Sequence, residues 1–401
     1  MDLQKLRNSL SHCSCGREHD ISLRLVRIGP GVLAGAGPLL REGGLPDRVH
    51  VAADRNTLGA CPGLLESLTS AGFEISLTLF DDLTHADMAA VERLCAEGTG
   101  AEALLAVGSG SLNDAARLAS FRLERPYAVF GTAPSMDGYA STVAPVLENG
   151  YKRTYPAHAP LCILADSGVL ASSPARLRSA GAGDLYGKYT ALADWRVAHL
   201  LTGEYYCERV AGLMEDAVAK GAEGAVMEAL VFSGIAMQLC GTSRPASGAE
   251  HHIAHFWEML SLRDGREGDL HGRMVGVGAL LVLREYNRLA GLECVRTLPD
   301  KWDVCDINRV FGALADDVVK ENAPGPLHNV NAERVVALWP EIRGILAGLP
   351  GLETVESALR AAGAPVTTAE LGLSEDMAAL GLRYGRYVRD RLTVLRLCDV
   401  L

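Results

Sequence analysis

The chain has 401 residues, 38 basic and 49 acidic, for a formal charge of −11, and at about 150 residues per domain that length predicts two or three domains. Hydrophobic (48%) and charged (22%) fractions near the globular average exclude a disordered chain, a small disulfide scaffold and a collagen-like fibre. An acidic balance without a Lys/Arg cluster argues against nucleic acid as a partner. No apolar run approaches the roughly 18 residues of a membrane helix, and the opening MDLQKLRNSLSHCSC lacks the apolar core of a signal peptide. A soluble, cytoplasmic protein with no membrane partner is therefore expected.

Ten cysteines are scattered through the chain, unlike the dense framework of a small secreted domain. Most read as buried, reduced, small apolar residues. One local group differs: Cys13, Cys15 and His19 in HCSCGREH offer ligand types that suit zinc, against which stand a C-x-C spacing and the lack of a local fourth ligand.

Through the first 170 or so residues strand-like and helix-like segments alternate, the signature of a parallel sheet with crossover helices. VHVAAD (49–54) reads as a buried strand, residues 58–71 as a helix and FEISLTLF (73–80) as a second strand. A helix over about 86–97 leads to the strand ALLAVG (103–108), a helix opening at Ser111 or Asn113, and the strand YAVFGT (127–132). LCILAD (161–166) closes the pattern. From Pro174 onward long segments at helical spacing replace it. The expected architecture is an α/β Rossmann-like domain with a parallel sheet over residues 1–173 and an all-α domain over 174–401.

VGSGSLNDAARLAS (107–120) puts a Gly-Ser-Gly-Ser turn between a buried strand and a helix. Glycines let backbone N–H groups approach a phosphate, and a helix N-terminus adds a favourable field. A structural turn would look similar, since the G-x-G-x-x-G spacing is missing. GTAPSMDGYAS (131–141) follows the next strand, where ligands of open parallel sheets bind. There Thr132, Ser135 and Ser141 are candidate donors to a cofactor and Asp137 a candidate acceptor from a substrate hydroxyl; an Asp-Gly turn with capping hydroxyls is the simpler reading.

The helical half carries three further motifs. In AGAGDLYGKYT, Asp184 reads as opening an apolar helix, with Lys188 one turn on and on the same face. In SGAEHHIAHFWEM, His251 and His255 share a helix face from which His252 turns away. His271, in DLHGRMVGVGALL, stands near the start of another apolar helix. Singly, each would be ordinary packing or capping. Together, one carboxylate and two imidazoles from three helices match a divalent metal site with an open position, and zinc, nickel or iron would suit them.

GSGSLND, TAPSMDGYAS, GAGDLYGKYTALADW, GEYYC, SRPASGAEHHIAHFWEM and HGRMVGVG together resemble the sn-glycerol-1-phosphate dehydrogenases of the iron-containing alcohol dehydrogenase-like superfamily, their bacterial branch in particular, over most of residues 45–290. The resemblance implies hydride transfer between NAD or NADP and dihydroxyacetone phosphate, giving glycerol 1-phosphate, with one divalent metal ion. It implies Asp184, His251 and His271 as metal ligands, and Asp137, His255 and Asp184 as catalytic and substrate contacts. The cofactor segments it implies are Gly108, Ser109, Gly110, Ser111, Leu112, Asn113 and Asp114, then Thr132, Ala133, Pro134 and Ser135, with Ser141 and Asp54 as further contacts. The active site would lie in a cleft between the two domains, and a homodimer is expected. Gly108-Ser109-Gly110 departs from a Gly-Gly-Gly turn common in the family, and the 251/252 histidine pair leaves the ligand ambiguous by one position.

On this reading the metal acts as a Lewis acid on the ketone oxygen, while Asp137 and His255 orient hydroxyls and His255 supplies the proton. Lys188, Arg244, Lys152 and Arg153 are candidate cations for the substrate phosphate. The rival readings are a glycerol or polyol dehydrogenase, a dehydroquinate synthase-like lyase, whose related motif would carry Glu in place of Asp184, and a non-catalytic nucleotide-binding relative. Beyond about residue 290 the chain reads as helices that complete the second domain.

Overall fold

A computed structural model describes all residues except 149–150 and 300–301 and the side chains of 151–152. The chain divides into two compact units, residues 1–181 with 223–241, and residues 182–222 with 242–401. Among the described residues no helix is long and apolar enough to cross a membrane.

Six parallel strands form the sheet of the first unit: β1 (Leu25–Gly29), β2 (Arg48–Asp54), β3 (Glu74–Phe80), β4 (Ala103–Gly108), β5 (Tyr127–Gly131) and, after the two-stranded antiparallel β6 (Val143–Glu148) and β7 (Tyr151–Pro156), β8 (Cys162–Asp166). Every residue of β4, β5 and β8 is buried, as expected for strands covered by helices on both faces. That double burial is why ALLAVG, YAVFG and CILAD read as continuous apolar runs rather than as alternation. The order is β1-β8-β5-β4-β2-β3. Chain direction across the sheet therefore reverses between β2 and β4, and the crevice beyond their carboxyl ends is where such sheets bind ligands.

The structure differs from the sequence reading in four places. The helix expected over 58–71 is two pieces, Arg55–Gly59 and Leu64–Ser70, because Pro62 and Gly63, at φ 82°, interrupt it. β1 was not foreseen, since an edge strand pairs on one side only and Arg27 in LVRIG breaks the apolar run. The β6–β7 pair was also missed, although Asn149-Gly150 between its two segments is a strong hairpin signal. Finally, Asp184 does not open a helix. It lies in the third turn of a helix running over Ala175–Thr202, whose Gly181 and Gly183 look like punctuation but allow close packing.

In the first unit Leu105, Val107, Phe130 and Leu164 pack with Leu40, Leu64 and Leu68 of the covering helices. The second unit closes around Phe256, Trp257, Tyr286, Phe311 and Trp339, so the C-terminal segment does complete a helical core.

Candidate active site

Three helices place the candidate ligands, each ligand itself lying in the second unit. Asp184 comes from Ala175–Thr202, His251 and His255 from Ala249–Arg263, and His271 is the first residue of His271–Ala290. The first and third helices touch through glycine. A Cβ on Gly183 would stand 2.1 Å from the Gly272 carbonyl oxygen, and one on Gly276 would stand 2.9 Å from the Gly183 Cα. Each contact is one residue from a ligand, so the absence of side chains at this crossing is what lets Asp184 and His271 share a site. Gly183→Ala is expected to destabilise the protein by at least about 1–3 kcal/mol, the usual cost of overpacking, and to weaken metal binding more than distant core variants of equal instability. Denaturant midpoints with metal titration check this.

Asp184 is fully buried. Its Oδ1 accepts from the Lys188 ammonium at 2.7 Å and lies 3.5 Å from His251 Nε2. Burial opposes its ionisation, but the Lys188 charge and the His251 hydrogen bond win and hold the carboxyl far below the usual range. Lys188 itself is buried and also donates to the Ala246 carbonyl at 3.0 Å.

His251 Nδ1 donates to Glu250 Oε1 at 2.7 Å, and Glu250 in turn accepts from the Gly248 N–H at 2.7 Å and the Thr190 hydroxyl at 2.5 Å. A carboxylate behind a histidine fixes the ring's orientation and raises its basicity, the usual support for a metal-bound imidazole. Without metal, burial and Lys188 resist protonation of His251, while Asp184 and Glu250 outweigh them and raise it to about 9.

The three imidazoles form one group, with ring centroids 5.3 Å apart for His251 and His271, 5.0 Å for His255 and His271, and 6.3 Å for His251 and His255. His255 Nδ1 faces Glu258 Oε2 at 3.2 Å. Two donor groups therefore adjoin at His271. Asp184 and His251 pair on one side, where the His271 ring is the neighbour of His251; on the other, atoms of His255, Glu258 and His271 lie within 4.8 Å of one another. His252 belongs to neither. It is buried, its ring nitrogens meet no hydrogen-bond partner among the described residues, and burial lowers its basicity well below the usual value.

Of the candidate cations, Arg244 spends its guanidinium on Glu204 and on the Leu392 carbonyl. Arg153 pairs with Glu148 at 3.3 Å, and the Lys152 side chain lies outside the described residues. Lys188 alone of the described three sits within the ligand group.

The nucleotide candidates lie in the first unit, around the sheet's reversal point. Asp54 ends β2 and Gly108 ends β4. Asp54 is buried and caps the following helix through the Thr57 N–H at 2.7 Å. A Cβ on Gly108 would meet Leu112 at 2.4 Å, so glycine is required by the tight strand-to-helix turn into Gly110–Arg122. Ser109 precedes that helix without a side-chain cap bond, and Ser111 donates to the Thr84 carbonyl at 2.8 Å. Asn113 is buried with Nδ2 on the Gly138 carbonyl at 3.4 Å, and its Oδ1 meets no donor among the described residues.

Sequence reading missed the group that holds the neighbouring loop. Thr132 N–H donates to the Gly108 carbonyl at 3.1 Å, extending the β4–β5 ladder into it. Tyr139 OH donates to the Ala133 carbonyl at 2.5 Å; Pro134 packs against Gly181, where a Cβ would lie 1.8 Å from its oxygen. Buried Arg117 donates to Asp114 at 2.7 Å, Tyr127 OH at 2.7 Å, the Val143 carbonyl at 2.8 Å, and the Gly138 carbonyl. Asp114 therefore anchors this arginine. Ser135 is buried beside Tyr139, Ser141 accepts from the Val143 N–H at 3.1 Å, and Asp137 Oδ2 accepts from Ser233 at 3.1 Å. Only the i, i+3 spacing of Asp114 and Arg117 hinted at this; Ser233 is too distant in sequence. Arg117→Met is expected to cost about 3–5 kcal/mol, because it strands a partly buried carboxylate and several carbonyls. Denaturant unfolding checks this, with Asp114→Leu expected to restore part of the loss.

Residues 27–174 match the iron-containing alcohol dehydrogenase family. The fold is shared with a solved 1,3-propanediol oxidoreductase (TM-score 0.59, 17% identity, covering 92% of this chain and 94% of that one) and a glycerol dehydrogenase from Schizosaccharomyces pombe (TM-score 0.54, 15% identity, covering 95% and 97%). These likenesses show that the chain shares its fold with both dehydrogenases. Over 98% of its length it is 32% identical to the glycerol-1-phosphate dehydrogenase [NAD(P)+] of Geobacillus stearothermophilus, 96% of which is covered. It therefore belongs to the glycerol-1-phosphate dehydrogenase family.

Proposed function

We propose that the protein catalyses reversible hydride transfer between NAD(P)H and dihydroxyacetone phosphate, giving sn-glycerol 1-phosphate, with a divalent cation held by Asp184, His251 and His271. The observation that carries this reading is the Asp184–His251–His271 group, in a chain that matches a relative of that activity over nearly its full length. The donor chemistry fits a divalent ion. One ionised carboxylate and one imidazole pinned by Glu250 face each other, with a second imidazole adjacent, a set that suits zinc, nickel or iron(II) and leaves positions open.

When bound, such a cation supplies Lewis-acid stabilisation of charge on the ketone oxygen, and the reduced nicotinamide supplies the hydride. Lys188 keeps Asp184 ionised and oriented. Glu250 fixes the His251 tautomer, so that Nδ1 carries the proton and Nε2 the lone pair. His255, on the same helix face and partly exposed at 31% of its side chain, holds the proton delivered to the substrate oxygen; Glu258 orients its ring. Asp137, held by Ser233, accepts a hydrogen bond from a substrate hydroxyl. Asp54, Gly108 to Asp114, Thr132 to Ser135 and Ser141 are assigned to the cofactor. Among them the uncapped turn after Gly108 and the buried Asn113 Oδ1 are the features suited to a polar ligand. Residues 1–173 are assigned to NAD(P), with Asp137 reaching the substrate, and 174–401 to metal and substrate. The protein is assigned to the cytoplasm as a homodimer, the large apolar helical unit being the support for association; sedimentation equilibrium tests the dimer.

The deciding experiment strips the protein of metal, refills it separately with nickel, zinc and iron(II), and measures dihydroxyacetone phosphate turnover with NADH and NADPH, with chiral analysis of the product. Metal-dependent formation of the sn-1 product supports the reading; preference for unphosphorylated glycerol over glycerol 1-phosphate in the oxidation direction overturns it.

A further inference from the structure

We propose a second metal site, separate from the ligand group above, in which Cys13, Cys15 and His19 bind zinc. HCSCGREH follows the short helix Leu3–Leu10, and Gly16, at φ 79°, turns the chain so that His19 comes back against the thiols. Cys15 Sγ lies 3.2 Å from His19 Nε2, and ligand atoms of Cys13, Cys15 and His19 all fall within 4.8 Å of one another. Zinc–sulfur and zinc–nitrogen bonds of about 2.3 and 2.0 Å at a tetrahedral angle put the two donors about 3.5 Å apart. The side chains therefore need little movement to receive the ion.

The tautomer is also set. His19 Nδ1 faces the Leu239 carbonyl at 2.8 Å, a contact that only a protonated Nδ1 makes, so Nε2 presents its lone pair to the sulfurs. A backbone carbonyl behind the ring is a common support for a zinc-bound histidine. Leu239 belongs to the Val226–Cys240 helix, and the segment is fastened there again by Arg17 on the Cys240 carbonyl at 3.5 Å and Ser22 on Gln238 at 3.1 Å. Thiolate with imidazole is the donor chemistry of zinc rather than of magnesium or calcium. On binding, two zinc–sulfur bonds form and the two thiol protons leave to solvent; a fourth donor completes the tetrahedron.

The consequence is structural. Zinc would clamp residues 13–19 onto the C-terminal end of the helix that also carries Ser233, the partner of Asp137.

Cobalt(II) loading of the full chain tests this independently of hydride transfer, because a sulfur-to-cobalt charge-transfer band requires thiolate ligands that a site of aspartate and histidine lacks. The band is expected in the parent and in Asp184→Asn, and lost in Cys13→Ser/Cys15→Ser and in Cys15→Ser alone. About one equivalent of zinc per chain is expected to disappear with it, and the zinc K-edge signal to lose its sulfur shell at about 2.3 Å. Circular dichroism identifies variants that keep their fold, and His19→Ala, which spares both thiols, is expected to lower zinc retention against a chelator at least tenfold. No sulfur band in the cobalt-loaded parent, or a band and zinc content unchanged in the folded double variant, overturns the proposal.

Discussion

His271→Ala is expected to lower kcat/KM for dihydroxyacetone phosphate by about three orders of magnitude, with loss of the active-site metal. The imidazole adjoins both other histidines of the group, with its ring centroid 5.3 Å from that of His251 and 5.0 Å from that of His255. As the ligand assigned beside Asp184 and His251, it is a donor that this substitution removes. Lewis-acid stabilisation is worth several kcal/mol, and each 1.36 kcal/mol is tenfold in rate. The comparison that separates the two donor groups is His251→Ala against His255→Ala. With Asp184, His251 and His271 as ligands, His251→Ala loses metal as His271→Ala does. His255→Ala keeps its metal content and loses about 10²–10⁴ in turnover, the usual contribution of a positioned proton donor. Metal analysis and steady-state rates on the three variants decide the matter; metal lost from His255→Ala but retained by His251→Ala would reverse the assignment.

How much of this was legible from residues depends on what each interaction needed. Strands β2, β4, β5 and β8 were readable because burial on both faces leaves an unbroken apolar run, and the boundaries shifted by no more than a residue or so. β1 escaped because its single neighbour leaves Arg27 free to face outward. The histidines at 251 and 255 were placed on one face by helical period alone, and their neighbourhood follows that geometry. The glycine crossing at 183 and 272 was not readable: a residue that permits close approach is written with the same letter as one that ends a helix. Glu250 was missed for a related reason. It adjoins His251 in sequence, where neighbouring side chains on a helix point apart, and its reach to Nδ1 becomes visible only once the Gly248 N–H and Thr190 fix the carboxylate.

Active-site metal affinity is expected to rise about fiftyfold between pH 7 and pH 9 and then to flatten. Imidazole must be neutral to coordinate a cation, and in the metal-free protein His251 is raised to about 9, with burial and Lys188 opposing protonation and the hydrogen bonds to Asp184 and Glu250 prevailing. Below that pH each ion that binds displaces the His251 proton, which costs tenfold in apparent affinity per pH unit. Asp184, held far below the ordinary carboxylate range, is ionised throughout and contributes no proton. The metal-free fold shows the opposite trend. A histidine whose basicity is raised on folding stabilises the protein fully below its unfolded value of 6.5, and that contribution is lost as pH climbs through about 9. The difference in Tm between loaded and metal-free protein should therefore widen over the same interval. Calorimetric titration at pH 7.5 in buffers of unequal ionisation enthalpy should count about one proton released per ion. Glu250→Gln, which removes the anion behind Nδ1, should reduce that count and weaken metal binding about 10- to 100-fold. An affinity that stays constant from pH 7 to 9, with no proton released, would show that His251 is already neutral when the ion arrives and that the Glu250–His251–Asp184 chain does not store the proton.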